Sequence, residues 1–144
     1  MSDGFHIGAG VELHVPNFDE VRTFYQKLGF EFLWSRAPEG KKGYLVASLG
    51  SNVLCFWGGN ESIYSQSYFG QFEPTTPRGY GVEIVIMVED LDLYHSKAAG
   101  TGRMVDAVRD RPWGVRDFRV ADPFGYYLRF TEPLDIRDRR YSVE

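Results

Sequence analysis

The sequence contains an internal repeat, and this repeat limits the possible folds more than any other feature of the chain. Residues 15–19 (VPNFD) match residues 88–92 (VEDLD) at an offset of 73, and residues 53–56 (VLCF) match residues 127–130 (YLRF) at an offset of 74. A repeat of this kind indicates one supersecondary unit used twice, because neither copy alone could bury both faces of its sheet.

Each copy is predicted to contain a strand, a helix and three further strands. In the first copy, residues 10–15 alternate in the manner of a half-buried strand, and Asn17 and Glu20 form a capping box at the start of a helix. In the second copy, residues 82–88 are a predicted strand and Asp90 caps a shorter helix. The expected fold class is α+β, with two βαβββ modules. The other strands are predicted at residues 30–35, 44–49, 52–57, 103–108, 115–121 and 126–131.

We expect residues 1–144 to form a single domain made of these two repeats, at about residues 8–58 and 80–132. Between them, residues 58–80 are rich in Gly, Ser, Gln, Pro and aromatic side chains, which favours a connecting or pocket-covering loop over core structure. Residues 133–144 are expected to form a C-terminal tail.

Composition excludes several classes of partner. A net charge of −4 and a pI near 5.4 give no positive surface for nucleic acid. The longest apolar run, residues 82–88, is too short to span a bilayer, so no membrane partner is expected. The first residues lack the pattern of a secretory signal, and the single cysteine, Cys55, fits a reducing compartment. These features predict a cytoplasmic location.

The repeat and three motifs resemble the vicinal-oxygen-chelate superfamily of glyoxalases, extradiol dioxygenases and bleomycin-resistance proteins. The motifs are residues 24–30 (FYQKLGF), 88–92 (VEDLD) and 111–130 (RPWGVRDFRVADPFGYYLRF), and the last is closest to the bleomycin-resistance branch. The resemblance implies that each repeat curls a mixed sheet into a cup. It also implies a homodimer, in which loop residues such as Tyr64 and Tyr68 help to wall two identical pockets.

Metal-using members of that superfamily place one ligand on the first strand and one on the last strand of each repeat. The corresponding positions here are Gly10, Cys55, Glu83 and Arg129. A glycine supplies no ligand side chain and an arginine does not release its proton, so this set departs from the His and Glu ligands that divalent metals require. We therefore expect no cofactor, and we expect Glu83 to pair with Arg129 in the space of the missing metal.

An alternative metal site remains open. Strand alternation places Glu12 and His14 on the cup side, where a displaced site of Glu12, His14 and Glu83 would support a glyoxalase-like lyase or an extradiol dioxygenase. Asp117 and Arg119 also alternate onto the cup side, either as cross-strand ion pairs or as substrate-recognition groups.

The remaining histidines and the cysteine receive structural interpretations. Cys55 has no histidine partner in the sequence pattern and is expected to be a buried, inert thiol. His95 is expected on the exposed part of the second helix, and His6 is expected to be structural or solvated.

The preferred hypothesis is a metal-independent protein that binds a small aromatic or amphipathic molecule, similar to the antibiotic-binding and toxin-binding members of the bleomycin-resistance branch. No catalytic residue is assigned, and the sequence does not name the ligand. The residues expected to bind the ligand are Glu83, Arg129, His14, Trp57, Trp113, Tyr127, Glu12 and Arg119.

Overall fold

The computed structural model describes residues 4, 6, 8–37, 43–65 and 69–139. Within this part of the chain a strand, a helix and three strands occur twice in succession, which confirms the predicted α+β fold and its two βαβββ modules. A short 3₁₀ helix (Glu61–Ser65) follows the first set. The first set is β1 (Glu12–Val15), α1 (Phe18–Lys27), β2 (Glu31–Arg36), β3 (Gly43–Leu49) and β4 (Asn52–Gly58). The second set is β5 (Ile84–Met87), α2 (Leu91–Ala99), β6 (Met104–Asp110), β7 (Arg116–Ala121) and β8 (Tyr127–Thr131).

The two sheets have the same topology. Strand order is β1-β4-β3-β2 in the first sheet and β5-β8-β7-β6 in the second. The first strand of each set pairs in parallel with the last, and the other pairs are antiparallel. Each sheet is therefore mixed, as predicted. None of the described helices is long and apolar enough to cross a membrane.

Contacts group the chain into two compact units that differ from the two sequence repeats. One unit comprises Met1–Asp19 and Phe30–Pro74 and contains the first sheet. The other comprises Glu20–Gly29 and Thr75–Glu144 and contains the second sheet. Most of α1 therefore belongs to the unit of the second sheet, although it lies in the first repeat of the sequence.

Each sheet buries one apolar face, as the alternation of residue types predicts. In the first unit the buried side chains include Leu13, Val15, Leu45, Ala47, Leu54 and Phe56. In the second unit Phe118 and Phe130 stack with ring centroids 5.0 Å apart, and Tyr94 of α2 stacks on Phe130. The apolar face of α2 points into the core, since Leu91 and Ala98 are buried.

One prediction about an exposed segment is wrong, and another segment contains more packed structure than expected. His95 is half-buried and lies edge-on to Phe118 at 5.4 Å, because its position four residues after Leu91 places it on the same face of α2. The predicted loop at residues 58–80 begins with packed structure. Gly58 belongs to β4. Ile63 in the 3₁₀ helix is buried, because it is an aliphatic residue within an otherwise mostly polar segment.

A hydrogen-bonded pair inside the second unit joins α1 to the turn between β7 and β8. The hydroxyl of Tyr25 donates to Oδ2 of Asp122 at 2.8 Å, and both residues are fully buried. Oδ1 of Asp122 accepts from the backbone N–H groups of Phe124 at 2.9 Å and Tyr126 at 2.8 Å. This one carboxylate therefore fixes both the turn and the helix.

The Tyr25–Asp122 pair makes stability depend on alkaline pH. Burial, and then the negative charge of Asp122 and the hydrogen bond to it, raise the pKa of Tyr25 well above its ordinary value of 10.0. A raised folded pKa adds stability that is complete below the unfolded pKa and is lost as the pH rises towards the folded pKa. Between about pH 10 and that folded pKa, the loss approaches about 1.4 kcal/mol per pH unit.

We expect Tyr25→Phe to be less stable than the unmodified protein by about 1–3 kcal/mol at about pH 9, because Asp122 loses a donor. At about pH 11 this difference in the free energy of unfolding should be smaller by about 1 kcal/mol. The unmodified protein loses stability through Tyr25 as the pH rises, whereas the variant has no phenol to ionise at this position. Urea unfolding at the two pH values measures both quantities. A difference that stays constant would contradict the raised pKa.

Candidate functional site

An aromatic row crosses the face of the first sheet opposite to its buried core. His14 of β1 is in register with Trp57 of β4, and Trp57 is in register with Tyr44 of β3. The His14 and Trp57 rings lie 5.0 Å apart, and Trp34 of β2 stacks on Tyr44 at 5.6 Å. Direct cross-strand neighbours interact closely in a sheet. We call His14, Trp57, Tyr44 and Trp34 the aromatic row.

Glu12 ties two members of the aromatic row together. Its Oε2 accepts from the Tyr44 hydroxyl at 2.8 Å, and its Oε1 lies 3.6 Å from Nε2 of His14. Burial first, and then hydrogen bonds with Cys55 and Glu12, raise the pKa of Tyr44. Tyr44 is therefore held as a neutral phenol at physiological pH, with its hydroxyl committed as a donor.

Residues after β4 contribute unequally to the surroundings of this row. Phe69 packs edge-on against His14 at 4.6 Å. Tyr64 is exposed, and Tyr68, its predicted companion, lies outside the described residues.

Cys55 is half-exposed, so the prediction of a buried thiol is wrong. It lies between Glu12 and Val46 in the strand register, on the face of the sheet that carries the aromatic row.

A network of charged side chains occupies the corresponding face of the second sheet. At its centre is Asp117, whose side chain is 0% exposed. Nε of Arg111 donates to Oδ1 of Asp117 at 2.6 Å, and Nη2 of Arg111 donates to Oδ2 of Asp106 at 3.0 Å. Three carboxylates and three guanidinium groups balance in this set. We call it the ionic cluster: Glu83, Asp106, Arg111, Asp117, Arg119 and Arg129.

The predicted partners Glu83 and Arg129 lie on the same face, but Arg119 is the closest partner of Glu83. Nε of Arg119 donates to Oε1 of Glu83, whereas Nε of Arg129 is 3.9 Å from Oε2 of Glu83. The predicted Glu83–Arg129 ion pair is therefore present, and Arg119 adds a closer contact that was not predicted. Arg119 and Arg129 are directly opposite in the β7–β8 pair, so both can approach one carboxylate, and Arg119 approaches more closely.

The pKa values within the ionic cluster follow from its hydrogen bonds. The bond to Glu83 raises the pKa of Arg119, and the bond to Asp117 raises the pKa of Arg111. The bond from Arg111 lowers the pKa of Asp106. All three shifts favour the charged forms of Arg119, Arg111 and Asp106. Asp117 and Arg119 thus take part in cross-strand ion pairs, the first of the two interpretations left open for them.

The remaining predicted residues stand at the margins of the ionic cluster. Tyr127 is half-buried on β8, two residues before Arg129 and therefore on the same face. Trp113 is 40% exposed and lies in the turn between β6 and β7. Sequence reasoning missed Asp106 and Arg111. The register of β6 with β7, which pairs Asp106 with Arg119, is the signal that would have identified Asp106.

The residues at the superfamily's metal-ligand positions do not fit a divalent metal. Within the described ranges, no group of three or more His, Cys, Asp and Glu side chains could hold a metal ion. Glu83 is paired with Arg119, and Arg129 adds a second positive charge beside it. Glu12, His14 and Glu83 likewise do not form such a group among the described residues. A cation placed beside Glu83 would be repelled by two guanidinium groups.

The fold and these positions define a member of a known superfamily. A profile of the Glyoxalase/Bleomycin resistance protein/Dioxygenase superfamily matches residues 6–130. The chain belongs to this superfamily, and the resemblance predicted from its motifs is confirmed.

Individual relatives match only part of this chain or share little sequence identity with it. An uncharacterized protein of Mycobacterium bovis is 37% identical over 62 residues, which span 42% of this chain and 41% of the relative. TioX from Micromonospora sp. ML1 has a similar structure, with a TM-score of 0.62, 21% identity, and coverage of 88% of this chain and 100% of TioX. A bleomycin-binding protein solved with bleomycin gives a TM-score of 0.61 and 18% identity, with coverage of 90% and 100%. At these identities the structural likeness shows the fold alone.

Proposed function

We propose that this protein binds a small aromatic or amphipathic molecule without a metal, in the manner of the bleomycin-binding branch of its superfamily. The observation that carries the proposal is the ionic cluster. Arg129 stands at one ligand position, and Glu83 at another is already paired with Arg119. Ion-paired side chains of this kind supply polar anchors for a ligand. A metal ion instead needs several unpaired side-chain ligands that converge on one point.

The aromatic row, within the first unit, is a surface that we assign to the binding of flat aromatic groups. Trp34 is 53% exposed and stacked on Tyr44, while His14 and Trp57 are partly buried beside them. Rings that remain accessible while held by their neighbours offer stacking area at little cost in side-chain entropy. Binding alone is a sufficient activity, since a protein in excess of a toxin lowers the free concentration of that toxin.

We also propose that the protein acts as a homodimer in the cytoplasm. The resemblance to bleomycin-resistance proteins implies the dimer, and the single Cys55, which forms no disulfide, fits a reducing compartment. Native mass spectrometry, after incubation with Zn, Ni, Mn and ferrous iron and subsequent desalting, reads subunit number and bound metal together. We expect a dimer that retains no stoichiometric metal. A monomer would contradict the dimer. About one metal per chain, lost in Glu83→Gln, would contradict the metal-independent proposal and favour a lyase or dioxygenase.

A thermal-shift screen of flat aromatic compounds tests the binding surface. Compounds that stabilise the protein should bind Trp57→Ala about tenfold more weakly, because the variant removes the central ring of the aromatic row. Tyr80→Ala is the matched control, since Tyr80 is an aromatic residue that is 91% exposed and lies outside both described clusters. Equal loss in the two variants would exclude the aromatic row as the binding surface.

A further inference from the structure

The three arginines of the ionic cluster use their hydrogen-bonding capacity very differently. Arg111 donates two hydrogen bonds, to Asp117 and Asp106, and Arg119 donates to Glu83 and Asp106. Arg129 donates no hydrogen bond to any described residue. Its two ion-pair contacts are loose, with Nη1 at 3.5 Å from Asp117 and Nε at 3.9 Å from Glu83.

The N–H groups of Arg129 that make no hydrogen bond with the described residues cost folding free energy, because they lie in a largely buried side chain. Nε of Arg129 is buried and has no hydrogen-bond partner among the described residues, and the facing Oδ2 of Asp117 is in the same condition. A guanidinium carries five N–H donors, and buried polar groups in folded proteins are nearly always satisfied. Because 20% of the Arg129 side chain is exposed, a solute can reach it from the face of the sheet.

The balance of charge favours an anion as that solute. The carboxylates of Asp106 and Glu83 are each held by a better-placed arginine, and Asp117 is completely buried. Arg109 also pairs with Asp106, at 2.7 Å, so this carboxylate has partners other than Arg129. The accessible charged group that still has free hydrogen-bond donors is therefore Arg129, which is a cation.

We infer that Arg129 binds the anionic group, a carboxylate or a phosphonate, of a small molecule held at the ionic cluster, at the position where metal-using relatives place a ligand side chain. This inference rests on the proposed function and specifies an acid group on the molecule that the ionic cluster binds. Arg119 acts as a positioning residue, because its bond to Glu83 keeps that carboxylate from neutralising Arg129. The fork of donors on arginine matches the geometry of such anions.

Three small probes test the inference by isothermal titration calorimetry: benzoate, phenylphosphonate and the neutral benzamide. We expect the unmodified protein to bind both anions about tenfold or more tightly than benzamide. Arg129→Gln should remove this preference, whereas Arg129→Lys should retain part of it, because lysine keeps the charge and loses the fork. Arg109→Gln is the matched control, since Arg109 pairs with the same cluster and is 64% exposed, and it should keep the preference.

Three outcomes would overturn the inference: equal affinity for benzoate and benzamide, no binding of either anion at millimolar concentration, or a preference that survives Arg129→Gln. Circular dichroism and the melting temperature show whether each variant is folded. If Arg129→Gln is unfolded, Arg129→Lys replaces it in the comparison of affinities. If neutral aromatic compounds still bind in a Trp57-dependent manner, the proposed function stands without the anion site. If neither neutral nor anionic compounds bind, both fail.

Discussion

Asp122→Ala is expected to lower the free energy of unfolding by about 3–5 kcal/mol. The substitution removes the acceptor for three donors at once: the buried hydroxyl of Tyr25 and the backbone N–H groups of Phe124 and Tyr126. Each buried donor left without a partner costs about 1–3 kcal/mol. Because a small domain has only about 5–15 kcal/mol of stability, this one change should leave the second unit close to unfolding.

Urea unfolding followed by tryptophan fluorescence and by circular dichroism measures the loss. Asp135→Ala is the control, since Asp135 also accepts a backbone N–H, from Arg137 at 3.0 Å, but its side chain is 54% exposed. This control should change stability by less than about 1 kcal/mol. Asp122→Asn should fall between the two, because it keeps an acceptor for the turn. A similar loss in Asp135→Ala and Asp122→Ala would refute the special role of the buried carboxylate.

Gly58→Ala is the second substitution with a large expected effect, a loss of about 3 kcal/mol. Gly58 has φ of +109°, a conformation that side chains rarely adopt. A Cβ there would also lie 2.7 Å from the carbonyl oxygen of Val15 and would overlap Ile63. Strain in the backbone and overlap in the packing add together, and the Val15 carbonyl is held in place because it accepts from the N–H of Gly59 at 2.9 Å.

Gly50→Ala separates these two causes. Gly50 has φ of +58°, and a Cβ there would meet nothing within 4 Å. This control therefore reports the cost of the positive φ alone, which should be about 1 kcal/mol. The melting temperature and urea midpoint of both variants provide the comparison. If Gly50→Ala lost as much stability as Gly58→Ala, the close contacts around Gly58 would carry no weight.

The architecture was readable from the sequence because the repeat, the caps and the alternation agree with one another. Strand bounds differ by one or two residues at several ends, and β5 begins at Ile84 where Val82 was expected. The docking of α1 with the second sheet was not readable. Helical periodicity identifies the apolar face of α1, but it does not say which sheet covers that face.

The faces of the candidate site and the Glu83–Arg129 pair were predictable, and the closer contact of Arg119 with Glu83 was not. Strand alternation placed Arg119 on the cup side, and the resemblance to the superfamily placed Glu83 and Arg129 there. The choice of Arg119 as partner for Glu83 depends on how strands β7 and β8 align and on side-chain rotamers, which a single sequence does not contain. Arg111 was missed because it lies after β6, in a turn where alternation gives no information.

The distribution of α1 between repeats and units has a consequence for how the protein is made. The second unit uses residues Glu20–Gly29 together with Thr75–Glu144, so its helix leaves the ribosome long before the sheet that it packs against. Tyr25 and Asp122 are 97 positions apart in the chain. Closing contacts of such long range slows folding, since the entropy of the intervening chain is lost before the contacts form. Synthesis of the first repeat alone therefore yields a helix with an uncovered apolar face, and the last third of the chain must appear before that face is buried.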